Sequence, residues 1–286
     1  MKILVLGVSG MAGHTVALYF QEKGHDVTGF STTPFNYCNN ILGNVFDFER
    51  VKKKLYDGNF DVVINCIGIL NQSAEDNRSN AVYLNSCLPH LLADSMLSTQ
   101  TRLIHMSTDC VFAGNTGPYS ENSLPDGRTF YDRTKALGEV VDTKNLTFRN
   151  SIIGPDMKEH GIGLFNWFMR QKGEIKGYKR AIWTGVTTLT LAKAMESALE
   201  NNLTGLYNLV NNESISKYDL IQLFNKYFRN GTISILEDNN FILDKTLISN
   251  RTDFSFQVPS YEQMIIEMKE WVDTHQDYYT HYKLII

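Results

Sequence analysis

Short apolar runs alternate with longer amphipathic stretches along the first half of the chain. Lys2 to Leu6 is a continuous apolar run closed by Gly7, the pattern of a strand buried on both faces. Gly13 to Lys23 then carries Val16, Tyr19 and Phe20 at helical spacing. Further strands are expected over Asp26–Phe30, Asp61–Ile67, Arg102–Met106 and Leu146–Ile153, and further helices over Ala81–Ser95 and Tyr131–Val141. Strands that alternate with helices predict a parallel sheet covered on both sides.

The alternation blurs after Gly154. Leu164–Arg170 is rich in aromatic residues, and Leu189–Glu200, Tyr218–Phe228 and Glu262–Trp271 have helical periodicity. Gly205–Val210 reads as a short strand. No internal repeat is visible, and six prolines are too few to mark a linker. A chain of 286 residues suits one large α/β unit with a smaller appended lobe. The expected division is a dinucleotide-binding domain over residues 1–153 and a mainly substrate-binding, mixed α/β lobe over 154–286. Parts of the lobe, about residues 186–210, are expected to return to the first sheet.

Composition narrows the classes. Hydrophobic residues make up 43% and charged residues 20%, an ordinary globular balance. A net charge of −4 argues against binding a nucleic-acid polymer. The one basic run, Lys52-Lys53-Lys54, reads as a solvated helix face. Cys38, Cys66, Cys87 and Cys110 form no CxxC pair and have no zinc-type spacing, so neither a disulfide framework nor a metal is expected. The opening apolar run is too brief for a secretory core or a membrane span. The expectation is a cytoplasmic protein with no membrane attachment, monomeric or homodimeric.

Candidate chemistry begins at the first turn. Gly7-Val8-Ser9-Gly10-Met11-Ala12-Gly13 lies between the first strand and the first helix. Glycines there permit a tight turn and close backbone approach to a pyrophosphate, which faces free N–H groups at the helix start. The spacing is G-x-x-G-x-x-G rather than G-x-G-x-x-G. The fold class expected is therefore α/β, a Rossmann-type doubly wound parallel sheet. The tip of the second strand reads Gly29-Phe30-Ser31-Thr32-Thr33 and offers no carboxylate to repel a 2′-phosphate, while Asp26 stands at the opposite end. NADP(H) is accordingly expected in preference to NAD(H), with the Ser31 and Thr32 hydroxyls supplying much of the phosphate binding.

Tyr131 and Lys135 are four apart on an expected helix, so they share one face. An ammonium beside a phenol favours the phenolate and brings tyrosine closer to a useful general acid. Ser107 and Thr108 follow an apolar strand, at the strand ends where open α/β sheets gather their sites.

Together, Gly7–Gly13, Asn65-Cys66-Ile67-Gly68, Ser107–Gly114 and Tyr131-x-x-x-Lys135 resemble the extended short-chain dehydrogenase/reductase superfamily. Within it, Ser107–Gly114 is similar to the dTDP-4-dehydrorhamnose reductase family, which commonly has a tyrosine or similar residue where this chain has Cys110. The resemblance implies a nucleotide-sugar 4-ketoreductase acting on a 4-keto-6-deoxyhexose. The sugar would be of the dTDP-4-dehydrorhamnose or the UDP-2-acetamido-2,6-dideoxy-4-hexulose type. By the same resemblance Tyr131, Lys135 and Thr108 are catalytic: Tyr131 protonates the product oxygen, Lys135 helps hold the nicotinamide ribose and Thr108 orients the ketone.

The cofactor residues implied are Gly7, Ser9, Gly10, Met11, Ala12, Gly13, Ser31, Thr32, Asn44, Val45, Cys66, Ile67, Gly68, Asn85, Met106, Ser107, Tyr131, Lys135, Asn150 and Ile152. Asn44-Val45 matches the adenine segment, although an aspartate is usual at Asn44, and Arg149–Ile152 matches the segment beside the nicotinamide amide. Thr108, Asp109, Val111, Phe112 and Trp183 are placed on the substrate side. Two other readings stand: a nucleotide-sugar epimerase on the same scaffold, and a dinucleotide-binding regulatory subunit without catalysis. An epimerase favours an acidic residue at position 31, which is serine here.

Overall fold

The computed structural model describes residues 1–282. Seven parallel strands form the main sheet: β1 (Lys2–Leu6), β2 (Asp26–Ser31), β3 (Asn39–Leu42), β4 (Val62–Asn65), β5 (Arg102–Ser107), β6 (Leu146–Arg149) and β7 (Gly205–Asn208). Their spatial order is β7-β6-β5-β4-β1-β2-β3. The chain runs outward from β1 to β3, then returns to place β4 on the other side of β1. That reversal opens a crevice beyond the carboxyl ends of β1 and β4, where ligands of doubly wound sheets sit.

Alternation along β1 shows why both faces are covered. Ile3 and Val5 enter one core with Val16, Phe20 and Met195, while Leu4 and Leu6 enter a second with Val51, Leu55, Leu88 and Leu92. All four β1 side chains are at most 1% exposed. Burying each such side chain contributes about 1.5–3 kcal/mol, so the first strand is fixed firmly and the turn after it is well placed.

The expected elements shift in informative ways. Helix α1 (Met11–Glu22) begins inside the glycine turn. Strand β3 has no counterpart in the apolar pattern, because Asn39-Asn40-Ile41-Leu42 forms a half-exposed edge strand. The run Leu146–Ile153 is broken at Asn150: β6 stays in the main sheet, while Ser151–Ile153 pairs in parallel with Gly185–Thr187. The expected helix over Ala81–Ser95 contains a π-helical turn at Val82–Cys87.

Helix Thr188–Glu200 packs against α1 and leads into β7. The remaining elements are small. Glu174–Tyr178 pairs with Ser234–Asp238, and Ala181–Trp183 lies between Ile215–Ser216 and Leu243–Asp244. Helices Gly163–Met169, Lys217–Phe228 and Tyr261–Thr274 close over them. Phe165 and Phe168 are fully buried core residues. No helix among the described residues is long and apolar enough to cross a membrane.

Candidate active site

The glycine turn is closed by its own backbone. Gly7 N–H donates to the Phe30 carbonyl (2.9 Å), and Gly10 N–H donates to the Gly7 carbonyl (3.0 Å). Gly7 has φ +79°, and a Cβ on Gly13 would lie 2.2 Å from the Gly7 oxygen. Only glycines let these segments meet, and the meeting leaves the start of α1 open to an anion. Ser9, Gly10 and Met11 are partly exposed there, whereas Ala12 is buried. His14, one turn into α1, is fully buried. Its Nδ1–H donates to the Gly10 carbonyl (2.9 Å), so its Nε2 accepts from the Tyr279 hydroxyl (2.8 Å). Burial pulls His14 down to about 4, so it is neutral near pH 7.

Cys66 and Ile67 follow β4 and pack on the turn, within 3.3 Å of where a Gly7 Cβ would stand. Gly68 beside them is exposed. Burial pushes the Cys66 thiol up to about 12, with Lys135 opposing. Asn85 is fully buried within the π-helical turn. Its Oδ1 accepts from Ile69 N–H (2.9 Å), and its Nδ2 donates to the Ile69 carbonyl (2.9 Å) and to Thr134 Oγ1 (3.2 Å). Both amide protons are spent, so Asn85 braces the loop after Gly68 against the Tyr131 helix rather than reaching into the crevice.

That helix, Phe130–Leu137, opens with a reciprocal capping box between Thr129 and Asp132, a strong N-terminal stop. Glu75 adds a clamp that sequence reasoning missed: its Oε1 accepts from Phe130 N–H (2.7 Å) and Tyr131 N–H (3.3 Å). Tyr131 and Lys135 are 7% and 5% exposed. Lys135 Nζ donates to the Met106 carbonyl at 2.6 Å, which seats the ammonium on the last turn of β5. Burial pulls Lys135 down to about 8, with Glu139 and Cys66 opposing. Burial pushes the Tyr131 phenol above its ordinary value, Cys110 and Asp109 add to this, and the Thr108 hydroxyl works the other way. Desolvation dominates at this phenol, the expected activation by the Lys135 ammonium is not among the influences on it, and the phenol holds its proton across the neutral range.

Thr108 Oγ1 donates to Asp109 Oδ1 (3.0 Å) and accepts from Cys110 N–H (3.2 Å). Burial raises Asp109, opposed by Lys245 and by the Thr108 and Cys110 contacts. Asp109 thus stays with the group. Three expectations nearby fail. Val111 and Phe112 are fully buried in a cluster with Tyr119, Val210 and Leu247, and Phe112 stacks on Tyr119 at 4.1 Å. Trp183 is 5% exposed, donates to Ser151 Oγ (2.8 Å) and packs beside Tyr261. All three are packing residues, since none has a face open to a ligand.

On the adenosine side Ser31 is buried and donates its hydroxyl to the Thr33 carbonyl (2.5 Å), so it is not free for a phosphate. Thr32 is exposed. Arg50, which the sequence did not single out, donates from Nη2 to the Leu42 carbonyl (3.2 Å), and Leu42 pairs in register with Ser31. A cation therefore flanks the strand tip. Asn44 is exposed with its Oδ1 accepting from Phe46 N–H (3.1 Å). The Val45 side chain is buried in the core, and its carbonyl accepts from the Tyr83 hydroxyl (2.7 Å). Ser107 is also turned away: its hydroxyl donates to Glu139 Oε1 (2.6 Å).

A dinucleotide fits these residues on two counts. The glycine cradle excludes side chains where phosphates would approach, and Asn150 has a buried Oδ1 with no partner among the described residues, an acceptor suited to a carboxamide N–H. Ile152 is half-buried beside it.

A doubly wound sheet with a glycine turn at its switch point, a threonine after a neighbouring strand end and a Tyr-Lys pair on the following helix defines a dinucleotide-binding protein of the short-chain dehydrogenase/reductase kind. Residues 1–235 match the family described as RmlD substrate binding domain, and the chain belongs to that family. It is 34% identical over 143 residues to a probable low-salt glycan biosynthesis reductase of Haloferax volcanii, covering 49% of this chain and 48% of that one. It is 31% identical over 141 residues to the dTDP-4-dehydrorhamnose reductase of Mycolicibacterium smegmatis, covering 48% and 40%. The match thus spans about half or less of each relative. The beta subunit of methionine adenosyltransferase 2 from Xenopus laevis is 25% identical, covering 77% and 70%. The dTDP-4-dehydrorhamnose reductase of Bacillus anthracis, solved with NADP, superposes with a TM-score of 0.79 at 18% identity, covering 94% and 99%.

Proposed function

We propose that this protein reduces the C4 ketone of a nucleotide-activated 4-keto-6-deoxyhexose, using NADPH, in the synthesis of surface-polysaccharide sugars in the cytoplasm. The observation that carries the reading is the convergence of Tyr131, Lys135 and Thr108: Lys135 is seated on Met106 at 2.6 Å, and the helix that carries Tyr131 packs against the Asp109–Val111 turn that Thr108 caps. Family membership and the named reductases support it.

A bound reduced nicotinamide supplies the hydride. Gly7, Gly10 and Gly13 would hold the pyrophosphate, Lys135 the ribose and Asn150 the carboxamide. Thr108 turns its hydroxyl from Asp109 to the ketone oxygen by rotation about one bond. Tyr131, kept protonated by burial, donates its proton to the oxygen as charge develops there, a contribution of about 10²–10⁴-fold. The carboxylate-free β2 tip and the nearby Arg50 favour NADPH over NADH.

The test is a titration of purified protein with NADPH and either dTDP-4-dehydrorhamnose or a UDP-2-acetamido-2,6-dideoxy-4-hexulose, followed by nicotinamide absorbance. Oxidation that depends on one of these sugars is expected. Tight dinucleotide binding with no oxidation by either sugar would instead favour a dinucleotide-binding subunit without catalysis; the Xenopus relative is itself named as a beta subunit.

A further inference from the structure

We propose that Glu139 is a positioning residue for this reaction: one buried carboxylate ties the end of β5, which carries Thr108, to the helix that carries Tyr131 and Lys135. This rests on the function proposed above. Glu139 lies four residues after Lys135, just past the end of the helix. Its Oε1 accepts from Ser107 Oγ (2.6 Å) and from Arg149 Nε (2.8 Å), and its Oε2 accepts from Arg149 Nη2 (2.6 Å). The Arg149 and Glu139 side chains are only 1% and 7% exposed. Arg149, from the end of β6, also lies over the Phe112 ring at 4.9 Å.

A buried ion pair contributes little net stability, because desolvation offsets its attraction. Two parallel N–H···O bonds nevertheless fix orientation tightly. Here the fork on Arg149 and the third bond from Ser107 leave the carboxylate no freedom to rotate. Ser107 immediately precedes Thr108, so the bond that holds Ser107 also sets where the Thr108 hydroxyl begins. Loss of the carboxylate lets strand end and helix drift apart, and a misplacement of about 1 Å at reacting groups costs on the order of 100-fold in rate.

The same carboxylate acts on the charge of Lys135. The groups facing that ammonium are Glu139 just past its own helix, Cys66 after β4, and the Met106 carbonyl and His105 on β5, with Arg149 behind Glu139. Burial and then Lys135 hold His105 well below its ordinary value, so it is neutral. Glu139 and Cys66 are the groups that oppose the downward pull of burial on Lys135. Neutralising Glu139 makes the ammonium shed its proton at lower pH.

Two variants test this by separate readouts: Glu139→Gln, which keeps the shape and removes the charge, and Ser107→Ala, which keeps the charge and removes one bond. For Glu139→Gln, kcat/KM is expected to fall about 10–100-fold. The alkaline loss of NADPH affinity, measured by equilibrium titration against pH, should move toward acid by about one unit. For Ser107→Ala, kcat should fall about tenfold while the alkaline limb stays where the native protein has it. A Glu139→Gln protein with the native pH limb and native kcat/KM would overturn the proposal, as would Ser107→Ala with native kcat. Ser107→Ala decides the matter alone if Glu139→Gln does not fold. Failure of the native protein to turn over any sugar sinks the proposed function but leaves the shift in the binding limb to be read.

Discussion

Replacing Gly13 by alanine exchanges one hydrogen for a methyl group at a place with no room for it. The new Cβ would stand 2.2 Å from the Gly7 oxygen, 2.8 Å from the Gly7 carbonyl carbon and 3.0 Å from Val8 Cα. All three are backbone atoms, so no side chain can swing aside. Unbonded heavy atoms settle near 3.5 Å, and the turn must therefore open by roughly 1 Å. Overpacking of this kind costs about 1–3 kcal/mol, and each kcal/mol lowers Tm by about 2–4 °C in a chain of this size. The displaced N–H groups are those aimed at the phosphates. Losing one charge-assisted hydrogen bond, about 1.5–3 kcal/mol, weakens binding by roughly 10–100-fold. The assay is NADPH titration by fluorescence, with melting curves on the same samples. Gly24→Ala is the control: Gly24 has φ +79° but nothing within 4 Å of its added Cβ. It should lose about 1–2 kcal/mol of stability from left-handed strain with no change in Kd. A Gly13→Ala protein that binds NADPH as tightly as the native one would refute the role given to the turn.

Other outcomes follow from the same geometry. Tyr131→Phe should lower kcat by about 100-fold or more while NADPH affinity stays near native; unchanged turnover would remove Tyr131 as the acid. Steady-state rates should favour NADPH over NADH, and Arg50→Ala should erode that preference; equal use of both by the native protein would count against it. His14 is held down to about 4 by burial, whereas an unfolded histidine takes its proton near 6.5. The unfolded chain therefore binds more protons between those values, and stability should fall as pH drops from about 6.5 to 4, by on the order of 3 kcal/mol. Urea midpoints for the native protein and His14→Asn would show it, the variant having the shallower decline; parallel declines would speak against His14 as the cause.

Much of the dinucleotide fold was legible because doubly covered parallel strands carry near-continuous apolar runs, as Ile3–Leu6 and Val62–Ile64 do. Strand β3 was not, since an edge strand needs only backbone pairing and Asn39-Asn40 carries no apolar signal. The glycine turn and the Tyr131–Lys135 spacing could be read because their residue types are dictated by local geometry. Long-range contacts could not. Glu75 reaches the Tyr131 helix from 55 residues away, and no spacing announces that. Trp183, Val111 and Phe112 were misplaced for one reason: aromatic and branched side chains suit a ligand pocket and a core equally, and only the tertiary packing tells them apart. Ser31 was misread because its hydroxyl finds a carbonyl two residues along.

The π-helical turn at Val82–Cys87 makes the chain intolerant of length change there. It lets two consecutive residues, Asn85 and Ser86, both point at Thr134, one to its hydroxyl and the other to its carbonyl. Removing a single amino acid from this stretch would restore ordinary helical winding and rotate everything beyond it by about 100°. Only one of the two partners could then stay inside, so a one-codon deletion here should loosen the bracing of the helix more than most substitutions would.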